Sequence, residues 1–323
     1  MSTSRNNNMF DVIIIGAGPV GLACGIEAQK HKLSYNIIEK GCIVNSIYNY
    51  PTNMTFFSTS DRLEIGDVPF VSHGIKPTRR EALEYYRRIV DSLNLKVNVY
   101  ERVLDIDKHP NYFVIKTTKR FYKSRNLIFA TGFYDNEIKL NVPGEDLPKV
   151  HHYFNEAHPY AFMKVCVLGA GNSAVDVALE CYRTGAEVTM IVREPDLKSS
   201  VKYWVKPDIK NRIKEGEIKA YFESTVSEIT LTDITFYQRG KKITIKNDYV
   251  FAMTGYIPDL KLPEKLGVKV ENGLPVFNKK THSTNIDGIY LAGVICGGIF
   301  TDRYYIENSL DQPHKIISHI IKH

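Results

Sequence analysis

Two glycine-rich turns, each followed at nearly the same spacing by a residue of opposite charge, carry the chemistry legible in this sequence. The first is Gly16-Ala17-Gly18-Pro19-Val20-Gly21, with Glu39 23 positions after Gly16. The second is Gly169-Ala170-Gly171-Asn172-Ser173-Ala174, with Arg193 24 positions after Gly169. In such a turn the first glycine permits the tight bend, the second lets backbone approach a pyrophosphate, and the third lets helix and strand pack closely. The N-terminus of the helix that follows stabilises the phosphates. A carboxylate at Glu39 accepts hydrogen bonds from a ribose diol and repels a 2′-phosphate, so the first turn, with Lys40 beside it, favours FAD or NAD. The Arg193 guanidinium suits a 2′-phosphate, and Lys198 and Lys202 add charge, so the second favours NADPH. Two such sites imply hydride transfer between two cofactors, FAD at Gly16, Gly18, Pro19, Gly21, Glu39 and Lys40, and NADPH at Gly169, Gly171, Asn172, Ser173, Ala174, Arg193 and Lys198.

The elements that must position these residues repeat in the two halves. Asp11–Ile15 reads as a buried parallel strand, followed by a helix to about Lys30 and a strand Ser34–Ile38. Lys164–Leu168, a helix through about Thr184 and a strand Glu187–Val192 repeat the order. Each half then has β-rich stretches, Tyr112–Thr118 with Arg120–Tyr122 and Thr225–Tyr237 with Lys242–Lys246. Each ends in a strand closing on a Thr-Gly turn: Asn126–Ala130 with Thr131-Gly132, and Tyr249–Met253 with Thr254-Gly255. These turns join the nucleotide contacts. A helix beginning near Ile306, with Glu307 and Asn308, would point its N-terminus at the flavin pyrimidine. The expectation is an α/β fold of two Rossmann-like domains, with the second inserted into the first. Residues 9–152 and 250–323 form the FAD domain and residues 153–249 the NADPH domain.

Composition agrees with this class. The 323 residues are 43% apolar and 24% charged, which excludes disorder, and the net charge of +6 is interleaved rather than gathered into a nucleic-acid-binding block. No apolar run reaches the ~18 residues of a membrane span, and Met1–Asn8 is polar, so a cytoplasmic protein is expected. Five cysteines, an odd number without a Cys-x-x-Cys, argue against a disulfide framework or a zinc site, and no metal is expected.

Long strings then carry a resemblance. Ser46-Ile47-Tyr48-Asn49-Tyr50-Pro51-Thr52, Thr55-Phe56-Phe57-Ser58, Ile65-Gly66-Asp67-Val68-Pro69-Phe70, Asp248-Tyr249-Val250-Phe251-Ala252-Met253 and Leu291-Ala292-Gly293-Val294-Ile295 are far more specific than a glycine motif. Across essentially the whole chain they resemble the bacilliredoxin reductase (bacillithiol disulfide reductase, YpdA) family, within the thioredoxin reductase-like flavoproteins. The resemblance implies FAD, NADPH, a homo-oligomer (dimer or tetramer) and a small disulfide or small redox protein as acceptor. It also implies that Tyr48, Asn49, Thr52 and Gly293 line the flavin. The chain departs from that family at Val20, where the family has a cysteine, so chemistry resting on that thiol does not carry over. Of the other cysteines, Cys24, Cys42, Cys166 and Cys181 read as structural. Cys296, on the segment that runs past the flavin, is the one redox candidate. His151 and His152 are given no catalytic role.

Three other readings remain at this level. A ferredoxin or flavodoxin NADP reductase needs no cysteine and so agrees with Val20. A flavin-containing monooxygenase shares the linker pattern but lacks its signature here. A flavin redox sensor would bind cofactor without turnover.

Overall fold

The structure is a computed structural model that describes residues 9–323; the Met1–Asn8 stretch lies outside the described residues. The chain forms two compact units. One comprises the segment ending at Tyr50, Met54–Asn136 and Tyr256–His323; the other comprises Pro51–Asn53 and Glu137–Gly255. The second unit therefore begins 16 residues before the expected 153 and ends six after 249. The reason is a two-residue strand, too short to read as a period in sequence: Val150–His151 pairs in parallel with Tyr249–Ala252. Val142, Leu147 and Val150 pack on the core beneath it.

In the first unit Met9–Ile15 is the central strand, parallel to Tyr35–Ile38 on one side and Phe121–Phe129 on the other. Its residues Val12, Ile13 and Ile14 are fully buried, as befits a strand covered on both faces. Val97–Asn98 extends one edge, and Ile289–Leu291 pairs in parallel with the end of Phe121–Phe129. Val103–Lys108 and Phe113–Thr117 complete the sheet as an antiparallel meander. The helix Pro19–Lys30 starts where Gly18, in extended conformation, caps it and Pro19 pre-sets the first turn. Leu22, Cys24 and Ala28 go to the core, where the last helix, Gln312–Lys322, contributes Ile316, Ile317 and Ile320.

That last helix starts later than expected. Residues 306–311 form successive turns, with Ser309 N–H donating to Ile306 O and Gln312 N–H to Ser309 O. Pro313, in the first helical turn, fixes the start.

The second unit has a five-stranded parallel sheet in the order Lys219–Tyr221, Glu187–Ile191, Lys164–Leu168, Tyr249–Ala252, Val150–His151. A three-stranded antiparallel sheet, Ser224–Ile229, Asp233–Gln238 and Lys241–Lys246, stands beside it in sequence. The helix Asn172–Arg183 buries Ala174, Val175, Val177, Ala178 and Cys181 against the parallel sheet. No helix among the described residues is long and apolar enough to cross a membrane.

Candidate functional site

At the C-terminal ends of the first unit's parallel strands lies a cleft of about 320 Å³. Ten of the fifteen residues expected to hold FAD line it: Gly16, Gly18, Pro19, Glu39, Lys40, Ala130, Thr131, Gly132, Gly293 and Ile306. Its floor is built by close approaches that no side chain tolerates. Gly16 has φ +109°, and a Cβ there would collide with the Ala130 carbonyl; a Cβ on Gly21 would collide with the carbonyl of Gly16. Gly21 thus serves the turn from beneath rather than lining the cleft. Glu39 ends the Tyr35–Ile38 strand with its carboxylate buried, Oε2 accepting from Ala17 N–H at 2.8 Å and Oε1 from Gly41 N–H at 2.8 Å. Burial pushes its pKa up, opposed by these two backbone donors and by Lys40. Lys40 pairs with Asp135 at 2.8 Å, both on the cleft wall.

Four expected contacts are not among the residues lining the cleft. Tyr48 is more than half exposed, with the Arg79 guanidinium over its ring, and Asn49 Nδ2 donates to Asn45 O. Thr52 belongs to the second unit, where its N–H donates to Asn155 O at 2.8 Å. Glu307 pairs with the Ser58 hydroxyl, and with the helix starting at Gln312 it is not a helix N-terminal residue. Conversely, Tyr50, Glu101, Arg102, Val103, Asp259 and Leu262 line the cleft without having been anticipated. They come from segments far apart in sequence, Val103 from a strand and Leu262 from a short helix, and share no motif; only the string containing Tyr50 gives a signal.

Thr131 Oγ1, on the cleft, is buried without a hydrogen-bond partner among the described residues. An orphaned hydroxyl beside glycine backbone and a buried carboxylate is the donor set a dinucleotide fits. Glu39 would hold the ribose hydroxyls and the turn at Gly16–Gly18 the pyrophosphate.

The second fingerprint repeats the construction. Gly169 has φ +128°, a Cβ there would stand 2.6 Å from Met253 O, and Gly171 caps the helix Asn172–Arg183. Ala174, at the third glycine position, is buried and tolerated. Gly255 has φ +101°, and Thr254 Oγ1 donates to Ile138 O at 2.6 Å. Ser173 is exposed at the helix start. The Arg193 side chain is 80% exposed, its nearest acid being Glu194 at 3.4 Å. Two expectations change. Lys202 adds no free charge, because Nζ is committed to Asp176 at 2.7 Å in a part-buried pair. The Asn172 side chain turns to the loop 192–205 instead of standing open for nucleotide.

Over residues 13–293 the chain matches the pyridine nucleotide-disulphide oxidoreductase family. A Bacillus subtilis (strain 168) protein named bacilliredoxin reductase Bdr is 46% identical over 314 residues, 96% of this chain and 97% of its own. The chain belongs to the bacilliredoxin reductase family. Solved structures described as bacillithiol disulfide reductase Bdr (YpdA), from Staphylococcus aureus and Bacillus cereus, match with TM-scores of 0.95 and 0.96 at 44% and 43% identity. Each match covers 98% of this chain and 99% of the other. The fold is thioredoxin reductase-like, and the chain is a pyridine nucleotide-disulfide oxidoreductase of the kind that uses flavin.

At the position read as the family cysteine, Val20 lines the cleft with its branched side chain. All five cysteines are free, and four are buried. Cys296, on the short 3-10 turn Gly293–Gly297, points away from the cleft into a cluster with Ile295 and Leu291. Its Sγ lies 3.8 Å from His282 Nδ1, and burial pushes its pKa up, so it is held as a thiol.

Proposed function

We propose that this protein is an FAD-containing, NADPH-dependent reductase whose acceptor is a bacilliredoxin-type protein or a low-molecular-weight thiol disulfide such as bacillithiol disulfide. The contrast between Glu39 and Arg193 carries the reading: at matching places in two like fingerprints stand a buried carboxylate suited to a diol and an exposed guanidinium suited to a 2′-phosphate. The likeness to proteins named for bacilliredoxin and bacillithiol disulfide supports the acceptor class.

The chemistry FAD would supply when bound is relay of an electron pair, in as hydride from NADPH joined by one proton from solvent, and out with two protons to the acceptor's S–S bond, which breaks into two thiols. The chain's part is to bind and orient. Glu39 takes the ribose hydroxyls, the glycine turns take the pyrophosphates, and Val20, Val294 and Ile306 give the cleft an apolar wall that excludes water. With Val20 in place of a cysteine and no activated thiol on the cleft, reduction proceeds on a bound acceptor without a protein mixed disulfide. Free, mostly buried cysteines suit a cytoplasmic setting.

Anaerobic rapid mixing tests the cofactor pair: NADPH should bleach the flavin band at least ten-fold faster than NADH. Equal rates would remove the role of Arg193. A panel of bacilliredoxin-type protein, bacillithiol disulfide, flavodoxin and ferredoxin tests the acceptor. Fast turnover of the last two alone would favour the ferredoxin or flavodoxin reductase reading, which Val20 also fits. Tight flavin with no reduction by NADPH would favour the sensor.

A further inference from the structure

Between Ile191 and the helix Lys206–Lys214 the second unit carries a long loop that directly follows the strand ending beside Arg193. Buried Leu197 and Val201 root it in the core. Three hydrogen bonds and one ion pair then tie it to the fingerprint. Lys198 N–H donates to Ala170 O at 3.0 Å. The Asn172 amide is used at both ends: Nδ2 donates to Ser200 O at 3.0 Å and Oδ1 accepts from Lys202 N–H at 2.8 Å. Lys202 Nζ pairs with Asp176, one turn further along the same helix, at 2.7 Å.

These bonds decide which cation is available. Lys202 is spent on Asp176, and Lys206 Nζ donates to Lys198 O. Lys198 is exposed, and its Cδ lies 4.0 Å from where a Cβ on Gly171 would stand, so its stem runs over the glycine that caps the helix. No ion pair to Lys198 is present among the described residues, which leaves its ammonium for a ligand.

We infer that Asn172 is a positioning residue for nucleotide selectivity, clamping the loop 192–205 to the fingerprint helix so that Lys198 joins Arg193 around the 2′-phosphate of NADPH. Asn172 touches the loop, not the phosphate. The inference rests on the NADPH reading above and deepens it by separating the residues that bear charge from the one that places it.

Calorimetric titration of the holoprotein with 2′,5′-ADP and with 5′-ADP tests it without turnover. Wild type should prefer 2′,5′-ADP. In Asn172→Ala that preference should shrink about ten-fold, with 5′-ADP affinity changed less than about three-fold. Lys198→Ala should shrink it similarly, and adding Asn172→Ala to Lys198→Ala should cost at most about two-fold more, because one acts through the other. Equal weakening on both nucleotides, or full additivity, would overturn the inference. Should Asn172→Ala not fold, Asn172→Ser, too short to reach both partners, reads the same selectivity. A wild type indifferent to the 2′-phosphate would instead defeat the NADPH reading, and this inference with it.

Discussion

Val20 stands against Gly293: a Cβ placed on Gly293, which has φ +77°, would lie 3.4 Å from the Val20 Cβ and one of its methyls. The fingerprint and the segment after Ile289–Leu291 therefore meet at a valine that lines the cleft, at the position read as a cysteine in the family. Replacing Val20 with Cys removes bulk without adding any, so the fold and flavin content should survive, at about 1 kcal/mol or less. NADPH-driven reduction of the disulfide acceptor should change less than about three-fold. A ten-fold rise would show that a thiol at this place limits the reaction, and that direct reduction is the wrong account.

Glu39→Gln replaces a carboxylate that accepts two backbone N–H bonds with an amide whose NH₂ faces one of those donors. The buried mismatch should cost about 1–3 kcal/mol. Equilibrium dialysis should show FAD binding weakened at least ten-fold, and thermal melting of the apoprotein a lower midpoint. Unaltered FAD affinity would show that the ribose is not held there.

Arg193→Ala should raise the KM for NADPH about ten-fold and leave that for NADH within about two-fold, because the side chain is exposed and its only ion-pair partner among the described residues is Glu194 at 3.4 Å. The difference between the two nucleotides should narrow as salt is raised, as exposed charges are screened. Steady-state kinetics at two ionic strengths reads both.

His282 gives a pH dependence. It is buried beside Phe277 and Cys296 with Nδ1 on Leu291 O, and burial lowers its pKa below the ordinary 6.5, aided by Lys315 and opposed by the Leu291 bond and Asp311. A base held neutral by folding binds its proton more readily unfolded. Its contribution to stability is therefore present above pH 6.5 and lost as pH falls below it. The thermal midpoint should drop between pH 7 and pH 5, and drop less in His282→Gln. The residual drop belongs to His151, His152 and His319, whose pKa values burial also lowers. A variant with the wild-type pH slope would remove the assignment.

What was legible in sequence was what backbone sterics dictate locally. Gly16, Gly18, Gly169 and Gly171 announce their turns, and Lys164–Leu168 was read residue for residue, because tight bends and buried parallel strands leave few residue choices. The last helix starts at Gln312 rather than near Ile306 because residues 306–311 close successive turns first, and only Pro313 marks the start in the sequence. Family likeness points Tyr48 inward, yet its ring is exposed beneath the guanidinium of Arg79 from the helix Arg79–Ser92, a contact across 31 positions that no local pattern encodes. Arg102 and Asp259 reach the cleft through folding alone.

The sealed sulfurs have a practical side. With Cys24, Cys166, Cys181 and Cys296 inside and Cys42 half covered at the foot of the turn after Glu39, thiol-alkylating agents meet almost no open sulfur on the folded chain and should label it only as it unfolds.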